Sequence, residues 1–226
     1  MAKSDEITIE VVSSAESVGK TDWDSVANPP SDFTEDFDYN PFQSFAFFDA
    51  LEQSGSATAR TGWLPQHLVM RDAEKAVLGI VPCYLKNHSQ GEYVFDYGWA
   101  DAFERAGGDY YPKLQASVPF TPATGRRLLV GNGPDAEKRR LLLAGGRSEV
   151  CSRLGASSTH ITFLAENEWN LLGEHGYLRR SHQQFHWLND GYDSFDQFLE
   201  ALSSRKRKNI RKERRAALEG NGINID

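Results

Sequence analysis

Two cysteines among 226 residues leave little scope for a disulfide framework. Cys83 and Cys151 each sit in an apolar run, a setting that suits buried reduced thiols and disfavours a reactive thiolate. Long apolar stretches are missing too. No run of about 18 apolar residues occurs, so no membrane-spanning helix is expected. The opening stretch, Met1–Val12, lacks the apolar segment and small-residue cleavage site of a secretory signal. These absences together point to the cytoplasm. There is no internal repeat, no low-complexity tract and no G-x-S-x-G nucleophile elbow. A metal set is also missing. His88, Glu92 and Asp96 are spaced by four, but Gly91 and the β-rich Tyr93–Phe95 stretch argue against a helix there, and His182 with His186 makes only two ligands.

What is present is unevenly placed. Net charge is −7, yet Arg205–Arg215 holds eight basic residues against one acid, Glu213. The rest of the chain is therefore twice as acidic as the whole. Such a body repels polyanions in general but can hold one small anion at its basic element. On a helical period Arg207 and Arg211 share a face. Ser203 and Ser204 would put free N–H groups at the start of that helix, where phosphate binds readily. A solvated helix face is the bland alternative. Nucleic-acid binding is a third, disfavoured because phosphate-backbone affinity follows summed positive charge.

Element signals alternate. Glu6–Val12 reads as a strand, residues 28–40 as a surface loop, and Asn40-Pro41 as the start of a helix over 42–54. His67–Arg71 and Val77–Lys86 read as a hairpin. Val94–Tyr97, Val118–Phe120 and Arg127–Val130 are further strand candidates, with a helical turn at Ala102–Gly107. A helix is expected over Asp135–Leu154, with a kink or close packing at Gly145-Gly146. Then come a strand at Thr159–Leu164, a helix at Asn167–His175, a long strand at Tyr177–Leu188, and two helices, Phe195–Leu202 and a basic one ending near Leu218. Ile223–Asp226 resembles the opening of another strand. The pattern argues for an α/β or α+β sheet domain. A strand opening so near the last residue reads as the front part of a longer protein.

The densest chemistry lies between Val81 and Leu129. Lys86, His88, Glu92, Asp96, Asp101 and Lys113 are interleaved with Tyr84, Tyr93, Phe95, Tyr97, Trp99, Tyr110 and Tyr111. Rigid rings beside converging polar groups make a small-molecule site; a half-buried sheet with one wet face is the other reading.

From Thr124 onward, the order of strand, long helix, strand and short helix ending Leu172-Gly173-Glu174-His175-Gly176-Tyr177 resembles the GNAT acyltransferase superfamily. More specifically, residues 40–55, 84–129 and 184–215 resemble the FemAB-like N-acyltransferases, named for peptidoglycan biosynthesis or recognition. That resemblance implies a largely antiparallel GNAT-like mixed sheet flanked by helices and followed by a basic helical pair. It implies a first domain over 1–192, the helical pair over 193–220, and the start of a truncated second domain over 221–226. It further implies transfer of an acyl or aminoacyl group to an amine, in a monomer acting on a muropeptide-like substrate. Acyl-CoA or aminoacyl-tRNA would be the donor, and the latter is the only nucleic acid expected. No cofactor is expected to be held in this stretch. The GNAT pyrophosphate motif [QR]-x-x-G-x-[GA] is met here by Gly131 and Gly133, but Leu128 stands where the polar residue belongs and Arg127 is one step early. The acceptor-binding residues expected are Lys86, His88, Trp99, Tyr111, Lys113, Arg207 and Arg211, with Asp96 or Glu92 as the base. A recognition module without catalysis is the runner-up.

Overall fold

The computed structural model describes residues 6–29 and 39–219. The expected loop at 28–40 falls mostly outside these residues, and the expected strand Ile223–Asp226 falls wholly outside them. The chain divides into two compact units, Met1–Ser181 and His182–Asp226. The first is a mixed α/β fold of two sheets flanked by helices. The second holds two helices among its described residues. Among the described residues no helix is long and apolar enough to cross a membrane.

The first sheet is antiparallel. β1 (Thr8–Val12) pairs with β3 (His67–Arg71), which pairs with β4 (Val77–Val81). β-branched residues predominate in β1 and β4, which suits a pleated surface. The second sheet has the order β2 (Leu64–Pro65), β5 (Cys83–Lys86), β6 (Lys113–Ala116), β7 (Thr159–Ile161). Its first two pairings are antiparallel and the last is parallel. β3 shows why the molecule is layered. Side chains alternate along a strand, so Leu68 and Met70 join one core cluster and Val69 the other. Helices α1 (Lys20–Ala27) and α2 (Phe45–Gln53) supply Trp23 and Phe48 to the second of these. The long α4 (Ala136–Arg153) supplies Leu143, Ala144 and Cys151 to the first. Gly146 lets α4 approach closely, because a Cβ there would lie 2.8 Å from Ile9 Cδ1, whereas Gly145 faces open space. The glycine pair thus marks close packing, with the helix unbroken.

Several expected elements differ. Val77–Lys86 is interrupted at Pro82, and its two halves, β4 and β5, fall in different sheets. The helix over 42–54 is split at Ser44, whose extended backbone ends a short 3-10 turn (Pro41–Gln43) and whose side chain caps α2. Arg127–Val130 forms only an isolated bridge between Leu129 and Ile80. The N–H groups of Arg127 and Leu128 are taken by the Glu168 carboxylate and are not free for a ladder. Phe120 has φ +58, which no strand accommodates, and its N–H bonds to the Gly91 carbonyl. No strand forms over 177–188, so His182 and His186 share no strand face. That stretch has the side-chain pattern of a strand, but a strand also needs a neighbour to take its backbone groups.

Candidate functional site

The second sheet has two unlike faces. On β5 and β6, Cys83, Leu114 and Ala116 turn toward α4. The alternate residues are Tyr84, Lys86, Lys113 and Gln115, all buried. Register sets Lys86 directly opposite Lys113. Two like charges facing each other across a ladder are destabilising, so this face demands carboxylates, and the segment from Asn87 to Tyr111 folds over it to supply them.

Lys113 is the centre. Its Nζ donates to Asp96 Oδ2 at 2.6 Å, to Glu92 Oε2 at 2.8 Å and to Ser89 Oγ at 2.8 Å. Tyr110 donates its phenol hydrogen to the same Asp96 oxygen at 2.9 Å, and Ser89 bonds the Tyr111 hydroxyl at 2.7 Å. The two carboxylates differ. Burial opposes ionisation of Asp96, but hydrogen bonds from Lys113, Ser89 and Tyr110 outweigh it and hold the carboxyl below its ordinary range. Glu92 has fewer such bonds, and burial pushes it above its ordinary range despite Lys113. One oxygen of each, Glu92 Oε1 and Asp96 Oδ1, is buried and has no partner among the described residues. Trp63 Nε1, the Tyr84 hydroxyl, Gln115 Oε1 and Ser117 Oγ are in the same condition.

Lys86 lacks an ion pair among the described residues. Its Nζ lies 3.4 Å above the Trp63 ring and donates to the Gln90 carbonyl at 3.2 Å. Burial lowers it to about 7; Glu92 pulls the other way, and Lys113 adds to the lowering. His88 sits beside it, accepting from Gln90 N–H at 3.2 Å. A turn at Ala59–Thr61 ends at Gly62 (φ +72), and any Cβ there would collide with the His88 ring.

The knot fixes what lies above it. Val94–Tyr97 does not extend the sheet as expected. The Asp96 carbonyl accepts from Trp99 and Ala100 N–H and starts helix α3 (Tyr97–Arg105). Around that start stands a ledge of outward-facing rings: Tyr93, Phe95, Tyr97 and Trp99, with Phe95 72% and Trp99 63% exposed. The Arg180 guanidinium lies 5.9 Å from the Trp99 ring and donates to the Phe95 carbonyl at 2.6 Å. The expected residues therefore sort into two groups here. Lys86, Glu92, Asp96 and Lys113 are brought together and closed in, with Tyr111 and His88 half-buried at their edge. Trp99 is accessible.

The start of α4 does not fit a pyrophosphate. Arg127 is buried, and its guanidinium donates to the carbonyls of Ala123, Arg126 and Thr162. Asp135 and Glu137 place negative charge where an anion would need N–H groups.

In the second unit, α6 (Phe195–Ala201) precedes α7 (Ser204–Leu218). Arg207 donates to the carbonyls of Glu200 and Leu202, closing the end of α6. Arg211 is exposed, with Asp196 at 4.0 Å. Ser203 caps α7 without a side-chain bond. Among the described residues no group of three His, Cys, Asp or Glu side chains could hold a metal ion.

Sequence reasoning missed Trp63, Ser89 and Arg180 as members of the site, and named Tyr110 only as one of its rings, without its bond to Asp96. The period-2 alternation of Tyr84, Lys86 and of Lys113, Gln115 was the available signal for a polar inner face.

A family profile described as peptidoglycan biosynthesis/recognition, FemAB-like, matches residues 14–226. The chain belongs to the FemAB-like family. Among solved structures, a Pyrococcus furiosus protein described as an acetyl transferase is 13% identical, with a TM-score of 0.46, covering 81% of this chain and 100% of its own. A Trypanosoma brucei acetyltransferase is 11% identical, with a TM-score of 0.40, covering 81% of this chain and 99% of its own. No curated protein matches this FemAB-like chain.

Proposed function

We propose that this FemAB-like chain belongs to an acyl- or aminoacyl-transferase and that its first unit holds the amine acceptor, a cell-wall precursor. The family match across residues 14–226 carries the reading. The local chemistry supports it. In such a transfer the amine nitrogen attacks an activated carbonyl carbon, the thiolate or ribose oxygen of the donor leaves, and the amine proton passes to a base. Glu92 and Asp96 each keep one buried, unpartnered oxygen, which an ammonium group would meet only once the segment over this face opens. Glu92 is the better base, because burial pushes its carboxyl up while the bonds to Asp96 hold that one down. Lys86, at about 7, is a second group able to take a proton near neutrality. Trp99, Tyr111 and His88 would meet the acceptor from the ledge. Within the second unit, taken by itself, Arg211 would meet a phosphate, with Arg207 contributing less because its guanidinium already serves the end of α6. The donor, acyl-CoA or aminoacyl-tRNA, is not assigned to α4, given the acids at its start.

Calorimetry with nucleotide-linked muropeptides tests acceptor binding. Heat that disappears in Arg211→Ala is expected; unchanged heat would remove the anion role. Transfer assays with labelled acetyl-CoA and with charged tRNA test the chemistry. A second reading, recognition without transfer, is favoured by the closure of Lys86 and Lys113 beneath the ledge. Precursor binding with no turnover from either donor would establish it. Affinity for RNA that falls steeply with salt would instead favour nucleic-acid binding through α7.

A further inference from the structure

The second unit contains a groove of about 540 Å³ that has no part in the site above. Its walls are Trp187, Tyr192, Phe195 and Phe198, and its rim carries Asn189 and Asp193. Three of the rings meet Phe198 at centroid distances of 5.7 to 5.8 Å, Trp187 nearly edge-on. Trp187 is nevertheless 65% exposed, so most of its indole faces outward. The rim is rigid. Asn189 closes a turn with the Tyr192 backbone, and Ser194 with Gln197 forms a reciprocal cap at the start of α6 that ties down the Asp193 N–H. The Asp193 carboxylate has no hydrogen bond or ion pair among the described residues. An exposed indole that packs edge-on against Phe198, in a groove that also carries a free carboxylate, is a surface suited to an amphipathic ligand. Its volume lies within the range of small-molecule sites.

We infer that this groove is a sugar-stacking subsite that takes the pyranose ring of a neutral amino sugar. The flat C–H face of a pyranose is apolar and suits the Trp187 ring, while its edge hydroxyls are donors that suit the Asp193 carboxylate. The other ligand class that favours aromatic boxes is an organic cation. Here one of the rings, Phe195, already meets a cation, the Arg214 guanidinium at 4.3 Å, which leaves less of the aromatic surface for a second one. The choice of an amino sugar rests on the proposed cell-wall substrate; the stacking geometry does not.

The test titrates the whole chain with the tetramer of N-acetylglucosamine, a glycan that carries neither peptide nor phosphate. Saturable heat is expected, with movement of the Trp187 indole N–H resonance. Trp187→Ala should weaken binding about tenfold or more, and Asp193→Asn should weaken it too. Both variants should keep the wild-type circular dichroism, since both side chains are at the surface. Absence of saturable binding overturns the inference, as does unchanged affinity in Trp187→Ala or tighter binding of choline than of glycan. A dimer in light scattering that Trp187→Ala dissolves would also overturn it, showing that a second copy fills the groove. The tetramer has no phosphate for Arg211 and no amine to acylate. Failure here therefore leaves the transferase reading standing, and failure of transfer leaves the sugar site standing.

Discussion

Lys113 Nζ sits 2.6 Å from the Asp96 carboxylate and 2.8 Å from that of Glu92, all three side chains closed off from solvent. Removing the cation alone strands two negative charges against each other. Lys113→Met is expected to cost about 3–5 kcal/mol, read as a lower urea midpoint at unchanged slope. Adding Glu92→Gln and Asp96→Asn to that variant should recover part of the loss.

The pH dependence of stability should follow Lys86. Its folded value of about 7 lies below the ordinary lysine value of 10.5. Between those limits the unfolded chain binds more protons than the folded one, so stability rises with pH through that window. Below it both states are charged and the full burial penalty remains. Urea midpoints measured from about pH 6.5 to 9.5 should climb in the wild type, and Lys86→Met should flatten that climb.

Adjacent glycines in α4 should respond oppositely. Gly145 faces open space within a helix, so Gly145→Ala should raise stability by about 1 kcal/mol. Gly146 abuts Ile9 and Leu68, so Gly146→Leu should lower it. Thermal melts of the two variants decide the matter.

Neighbouring arginines on α7 should separate as well. Arg207 holds the last carbonyls of α6, and Arg207→Ala should cost about 1 kcal/mol locally, seen as faster amide exchange in Phe195–Ala201. Arg211→Ala should leave exchange unchanged and alter only anion binding.

Much of this was legible beforehand. The turn between β3 and β4, α4, α5 (Glu166–Glu174) and the two last helices lie where caps and periodicity put them, because those signals are local, whereas the expected second hairpin strand Val77–Lys86 divides between the two sheets. The FemAB-like resemblance was carried by long stretches and is met by the family profile. What could not be read was backbone competition. Glu168 reaches back about forty residues to take the N–H groups of Arg127 and Leu128, and no local pattern announces that. Asp96 is a similar case. Its neighbours look β-forming, yet its carbonyl starts a helix while its carboxylate is drawn to Lys113. The charged and aromatic residues of the middle segment were visible as a cluster. Which would be sealed inside and which would stand outward depended on register, since Lys86 opposite Lys113 forces the acids inward.

The pairing of β6 has a kinetic corollary. On one side it meets β5 through a moderate loop; on the other it meets β7 in parallel, across the whole of α4. Contacts that close such long spans form late, after nearby turns have collapsed. A nascent chain that ends before Thr159 exposes the unpaired edge of β6, a template for aggregation until α4 delivers β7 to it.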